Sequence, residues 1–241
     1  MNVLTTAICA VLFLSQAGFS QEQSTKHLGH IGIGIKLSSL GAGIETALPL
    51  FRYSNLRTSF NYFLYDRDLG DAGFGYRGEL NFRSIQASYD WYPFRSGFRV
   101  SPTALVYNGT GVHAALVVPG GHTFSITKNT YESDPSDPIN GAARMSFRKV
   151  APGLTFGWGN LLSRHHRISF PVEFGFVFEG SPTVSLNMNG SGCDPKGRGC
   201  SSLSSNPSAV SSIHSEQAKI AREVTFLRFY PIISIGVGYR F

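Results

Sequence analysis

Apolar residues recur at every second position in eight stretches of this chain. That is the period of a strand with one greasy and one polar face. In residues 30–38, Ile31, Ile33, Ile35 and Leu37 share one face, with Gly32, Gly34 and Lys36 on the other. Residues 42–49 set Ala42, Ile44, Thr46 and Leu48 against Gly43, Glu45 and Ala47. A tight turn at Ser39 and Leu40, pairing Ile35 with Ile44, explains the change of parity. The rival is one long strand with a bulge. Further stretches cover 55–65, 84–92, 98–107, 149–158, 168–178 and the closing "IISIGVGYRF", with its start near Phe226. Leu80 and Phe82 have the parity opposite to Ile85, Ala87, Tyr89 and Trp91, so a bulge is expected near Arg83.

The connections alternate in length. Short ones fall at 50–54, 93–97 and 159–167, and long ones at 66–75, 108–142 and 179–222, with the 39–41 turn on the long side. Short turns at one end and long loops at the other are the layout of a membrane-spanning barrel. "HAALVVPGGHTFSITKNTY" reads as a hairpin turning at Pro119, Gly120 and Gly121. Its two strands either extend beyond the membrane or raise the barrel from eight strands to ten. Later, Asn206 is placed to cap a helix with Pro207 at its first position, and Val210, Ile213 and Ile220 fall on one side of it.

Alternation leaves open which face points outward. The polar faces carry mainly Gly, Ser, Thr and Asn, with single charges at Lys36, Glu45, Arg57, Asp90, Arg99, Lys149, Glu173 and Arg240. Small residues suit a narrow interior, where charges of both signs can pair. The opposite faces carry Phe, Trp and Tyr with almost no charge, as hydrocarbon requires, and Tyr89, Trp91, Trp158, Tyr239 and Phe241 gather at the short-turn ends as an interfacial girdle. The expected fold is therefore all-β: a transmembrane antiparallel up-and-down β-barrel, of eight strands or alternatively ten, with long extracellular loops and one short loop helix.

Composition agrees. Only 15 % of residues are charged, 13 % are aromatic, and Gly numbers 27 in 241 residues. The charged share falls below the roughly 25 % of ordinary soluble domains. Mean hydropathy is −0.02, and no apolar run outside the N-terminus is long enough for a membrane helix. The formal charge of +6 is scattered rather than striped, which argues against nucleic-acid binding.

The first twenty residues read as a secretory signal: apolar from Val3 to Leu14, then small at Ala17, Gly18 and Ser20. Cleavage after Ser20 would leave residues 21–241 as the barrel domain, with loops 108–142 and 179–222 outside the membrane. Cys193 and Cys200 then remain, in the Gly/Ser-rich "GSGCDPKGRGCSS", and in an exported chain they most simply form one local disulfide.

The chain resembles the bacterial outer-membrane β-barrel proteins, of the small eight-stranded outer-membrane-protein-A-like kind. The strongest motif is terminal: Phe241 last, Tyr239 third from the end, then Val237, Ile235 and Ile233. This resembles the C-terminal signal read by the barrel-assembly machinery of Gram-negative bacteria. The resemblance implies outer-membrane localisation, a monomer, and contact with outer-membrane lipids including lipopolysaccharide.

No Ser/His/acid set has usable spacing. His165 and His166 sit beside arginines in a short turn that reads as solvated, and His214 adjoins Ser215 on a helix, where sequence neighbours diverge. Gly32, Gly34, Gly236 and Gly238 open no helix and read as close-packing positions where the first and last strands meet. The expectation is no catalytic, cofactor-binding or metal residues, no cofactor, and no enzymatic activity. The role is then structural or surface-interacting; a narrow channel for small solutes is the alternative, and a lipid-modifying enzyme ranks third.

Overall fold

The computed structural model describes residues 31–71, 74–94, 97–126, 129–163 and 166–241. The expected leader, His27, His30 and His165 lie outside them. The first five strands are β1 (Gly32–Ser38), β2 (Gly41–Phe51), β3 (Ser54–Asp71), β4 (Phe74–Trp91) and β5 (Phe98–Asn108). Four more follow outside the wall: β6 (Gly111–Val118), β7 (Thr123–Ile126), β8 (Asn129–Ser133) and β9 (Ile139–Ser146). The wall resumes with β10 (Ala151–Trp158), β11 (Ile168–Ser169) and β12 (Val172–Phe178). β13 (Thr183–Asn189), β14 (Ser191–Cys193), β15 (Ser201–Ser202), helix α1 (Pro207–Glu223) and a short 3-10 turn (Val224–Arg228) precede the closing β16 (Phe229–Arg240).

Eight antiparallel strands close a barrel, in the order β1-β2-β3-β4-β5-β10-β12-β16 and back to β1. β11 and β12 act as one strand. Ile168 faces Tyr239 and Val172 faces Ile235 in a single register, interrupted only where Pro171 has no N–H to give. The seam between the two ends of the chain runs from Gly32↔Arg240 to Ser38↔Ser234. Ile35 pairs with Ile44 across the Ser39–Leu40 turn, as the alternation requires.

The greasy faces point outward. Ile35, Leu37, Ile44, Phe60, Val150, Phe174, Ile233, Ile235 and Val237 are exposed, while Arg57, Ser59, Asn61, Gln86, Ser88, Asp90 and Ser101 are buried. This is the inverse of a water-soluble domain and defines a membrane-spanning wall. Among the described residues no helix is long and apolar enough to cross a membrane.

Several expectations need correction. Residues 66–71 and 74–75 are not loop, because β3 runs on to Asp71 and β4 already begins at Phe74, making a long two-stranded arm. No bulge interrupts β4 near Arg83: its ladder with β3 is unbroken from Ser54↔Trp91 to Asp71↔Phe74. The irregularity lies opposite, where Ile85 faces Tyr107 but Gln86 faces Leu105, leaving Val106 over in β5. A turn does form at 119–121, with Gly121 at φ +79° and His122 N–H donating to Pro119. It joins no hairpin, since β6 pairs with β4 and β9 while β7 pairs with β8.

β15, β14, β8 and β7 form a separate four-stranded sheet, whereas the arm, β6, β9 and β13 carry the wall's own sheet on beyond the barrel. Helix α1 covers one face of that extension. Asn206 caps the helix by accepting from Ser208 and Ala209 N–H groups, with Pro207 first. Ala209, Ser212 and Ile213 are its buried positions, whereas Val210 and Ile220 are half-buried. Ala209 and Ile213 complete an apolar core with Val118, Ile126, Ile139, Met188 and Leu203. Gln217 Oε1 accepts from Leu186 N–H at 3.3 Å on the β13 edge. A disulfide joins Cys193 and Cys200 beside this core.

Candidate functional site

The bore of the barrel is built in three layers. Its middle is charged. Arg57, on β3, is the hub: Nε donates to Asp90 Oδ2 at 2.9 Å, Nη1 to Glu45 Oε2 at 3.3 Å, and Nη2 to Glu173. Arg99 Nη2 reaches Glu173 Oε2 at 3.3 Å, and its Nη1 donates to the Gly159 carbonyl at 2.6 Å. Lys36 Nζ donates to Gln86 Oε1 at 3.0 Å, and Gln86 Nε2 donates to Glu173 Oε1 at 3.1 Å. Ser101 donates to Asp90 at 2.7 Å. Three cations (Lys36, Arg57, Arg99) face three carboxylates (Glu45, Asp90, Glu173), all 4 % exposed or less, so the cluster is formally neutral. Neutrality matters because an unpaired buried charge costs several kcal/mol.

Apolar layers close the cluster at both ends. At the short-turn end the 159–163 turn folds into the bore. Leu161 and Leu162 are buried there with Ala47. Asn160 Oδ1 holds the turn by accepting from Leu162 N–H at 2.8 Å and Asn55 Nδ2 at 2.9 Å. A Cβ added at Gly238 would lie 2.1 Å from Leu161 Cδ2, and one at Gly34 would lie 3.0 Å from it. These seam glycines therefore make room for a leucine. The sequence reading concerned only the histidines of this turn, and His166 is indeed exposed; nothing in it pointed to the burial of Leu161. At the long-loop end Leu40, Leu105, Ala151, Val177 and Ile232 form the other layer, with Tyr230 against it.

Two of the eight expected interior charges lie elsewhere. Lys149 is exposed: β10 starts only at Ala151, so the alternation was carried two residues too far. Arg240 is half-buried at the barrel mouth, opposite Gly32 on β1. In the terminal motif, Ile233, Ile235, Val237, Tyr239 and Phe241 are exposed on the outer face of the seam, and the Tyr239 and Phe241 rings meet edge-on at 4.9 Å.

Beyond β12, Glu179 is buried and accepts from Asn108 Nδ2 at 3.2 Å. Burial raises its carboxyl from the ordinary 4.5 to about 7, against the opposing pull of that hydrogen bond. On the sheet extension formed by β4, β6, β9 and β13, the face away from α1 holds a groove of about 410 Å3. Ala115 and Ala142 lie among its residues, with Arg77, Glu79, His113 and Arg144 around them. Arg77 is already paired with Asp68, at 2.6 Å and 3.0 Å. His122, His166 and His214 are exposed at separate places. Among the described residues the one cluster of metal-ligand type is Asp134 with the two disulfide cysteines, whose sulfurs are already bonded to each other.

Fold and bore together define a transmembrane eight-strand β-barrel whose interior is filled by its own side chains, with a folded cap at one end. Its structure is similar to the crystal structure of CarO from Acinetobacter baumannii, an eight-strand outer-membrane barrel, with a TM-score of 0.55 and 20 % identity. That match covers 89 % of this chain and 99 % of CarO. The crystal structure of CarO2 from the same organism matches with a TM-score of 0.55 and 17 % identity, over 88 % and 98 % of the two chains. No protein-family model and no curated protein sequence matches the chain.

Proposed function

We propose that this is an integral barrel of a bacterial outer membrane with a structural or surface-interaction role. The fold shared with CarO and the aromatic, charge-poor outer wall support that location. In this reading residues 1–20 are a leader removed on export. The barrel-assembly machinery reads Ile233, Ile235, Val237, Tyr239 and Phe241. The folded monomer sits among outer-membrane lipids, including lipopolysaccharide, with its cap outside the cell.

The observation that carries the role is the sealed bore. A neutral charge cluster between two apolar layers holds the wall together and offers a hydrated solute no continuous polar lining. The shaped, polar surface lies instead on the cap sheet, where a partner can reach it. The role is therefore presented outward rather than through the wall. In planar bilayers the folded protein is expected to produce no stepwise conductance. Stable unitary steps would overturn this reading and favour the narrow channel.

A further inference from the structure

Where β10, β12 and β16 leave the wall at the cap end, exposed apolar residues give way to cations. Val150, Phe226 and Phe229 are 59 %, 74 % and 54 % exposed. Arg148, Lys149 and Arg228 stand exposed beside them in sequence. The fold also draws the two arginines together. Glu179 N–H donates to the Arg228 carbonyl at 2.9 Å, which seats the start of β16 beside the end of β12. Arg228 Nη2 donates to Ser181 Oγ at 3.4 Å. The Arg148 guanidinium lies over Gly180, where an added Cβ would meet its Nε at 2.8 Å. Gly180 has φ +69°, so the backbone there already favours glycine, and the missing side chain leaves space for the guanidinium.

Two arginines thus converge on the Gly180–Ser181 peptide, and the exposed Lys149 follows Arg148 in sequence. None of the three forms an ion pair among the described residues, unlike Arg77 with Asp68 or Lys219 with Glu216. The adjacent acid, Glu179, turns into the barrel toward Asn108 and does not neutralise them. Unpaired cations bordering a lipid-facing wall place positive charge at headgroup height, where anionic lipid attracts it. Guanidinium groups match phosphate oxygens in two-pronged geometry.

We infer that Arg148, Lys149 and Arg228 bind the phosphate of an anionic outer-leaflet lipid, whose acyl chains lie along Val150, Phe226 and Phe229. The inference rests on the outer-membrane reading and gives its lipid contact an address. The apolar border commits it to a lipid rather than a free anion, because a soluble phosphate has no use for three exposed hydrophobic side chains.

The test uses the full barrel in phosphatidylcholine nanodiscs, with bis-phosphorylated lipid A as the probe. Binding is compared with that of dephosphorylated lipid A. The triple variant Arg148→Ala/Lys149→Ala/Arg228→Ala is expected to bind the phosphorylated probe about 100-fold more weakly, at the usual contribution of a surface cation. Lys219→Ala, which removes a lysine already paired with Glu216, is expected to change nothing. Equal binding of the two probes, or undiminished binding by the triple variant, would overturn the inference. So would full competition by inorganic phosphate, which would make this an anion site without a lipid. Heat-modifiable gel mobility is recorded on every sample. A protein that never shows the fast-migrating folded form fails the membrane reading itself, whereas a folded barrel indifferent to phosphate fails only this inference.

Discussion

β3 and β4 run through two environments on one unbroken ladder, and their faces exchange roles between them. In the wall, Phe60↔Ile85 and Leu56↔Tyr89 face outward, while Ser59↔Gln86 and Arg57↔Ser88 face the bore. In the arm the same outward face carries Asp66↔Glu79 and Asp68↔Arg77, and the same inward face carries Phe63↔Phe82 and Tyr65↔Leu80. The Phe63 and Phe82 rings are 5.9 Å apart, and Phe82 lies 6.5 Å from Tyr230 at the top of the bore. Backbone geometry does not change at the crossover. The surroundings do: hydrocarbon gives way to water outside, and the charged bore gives way inside to an aromatic cluster that is itself partly open, with Phe63 and Tyr65 41 % and 44 % exposed. Polarity along a strand therefore records what each face meets, and an inversion needs no bulge.

If the wall and the cap are separate energetic units, they should fail separately. The largest effect is expected in the bore. Arg57→Ala strands Glu45, Asp90 and Glu173 without their shared cation and should destabilise the barrel by about 3–5 kcal/mol, read from the urea midpoint of gel mobility. A midpoint within error of the parent would mean the cluster is already hydrated. In the cap, Ile213→Ala should cost about 2 kcal/mol. Limited proteolysis is expected to cut near α1 while the barrel keeps its folded mobility. Loss of folded mobility would show that the two regions melt together.

The smallest effect concerns the junction. Glu179 keeps its proton to a higher pH when folded than when unfolded, because burial raises its carboxyl to about 7. A carboxyl raised on folding opposes the folded state once it must ionise. Stability should therefore fall as pH rises from 4.5 to about 7 and level off above that. Glu179→Gln should flatten that slope. An unchanged slope would assign the pH dependence to another group.

What the sequence made legible was whatever repeats locally. Eight strands, the Ile35↔Ile44 turn, the outward greasy face and the Asn206 cap with Pro207 all follow from neighbours within a few residues. The misreadings share one cause, a partner distant in sequence. Leu161 shows its burial only once Gly34 and Gly238 lie beside it. Pro119 and the two glycines after it form a real turn, but the partners of β6 are β4 and β9. Lys149 continues the alternation of β10 on paper, yet the wall ends at Ala151. The charges of the bore were visible as types, but the hub role of Arg57 depends on a register between strands that no local pattern contains.

Leu161 occupies a particular place in the order of assembly. Gly32 and Gly34 belong to the first strand and Gly238 to the last, so its pocket has only half its walls until the two ends of the chain have met. A turn from the middle of the sequence can tuck in only after closure, and once tucked it grips both sides of the seam. It has the geometry of a latch: cleavage within the 159–163 turn by a protease is expected in an unzipped barrel and not in a closed one.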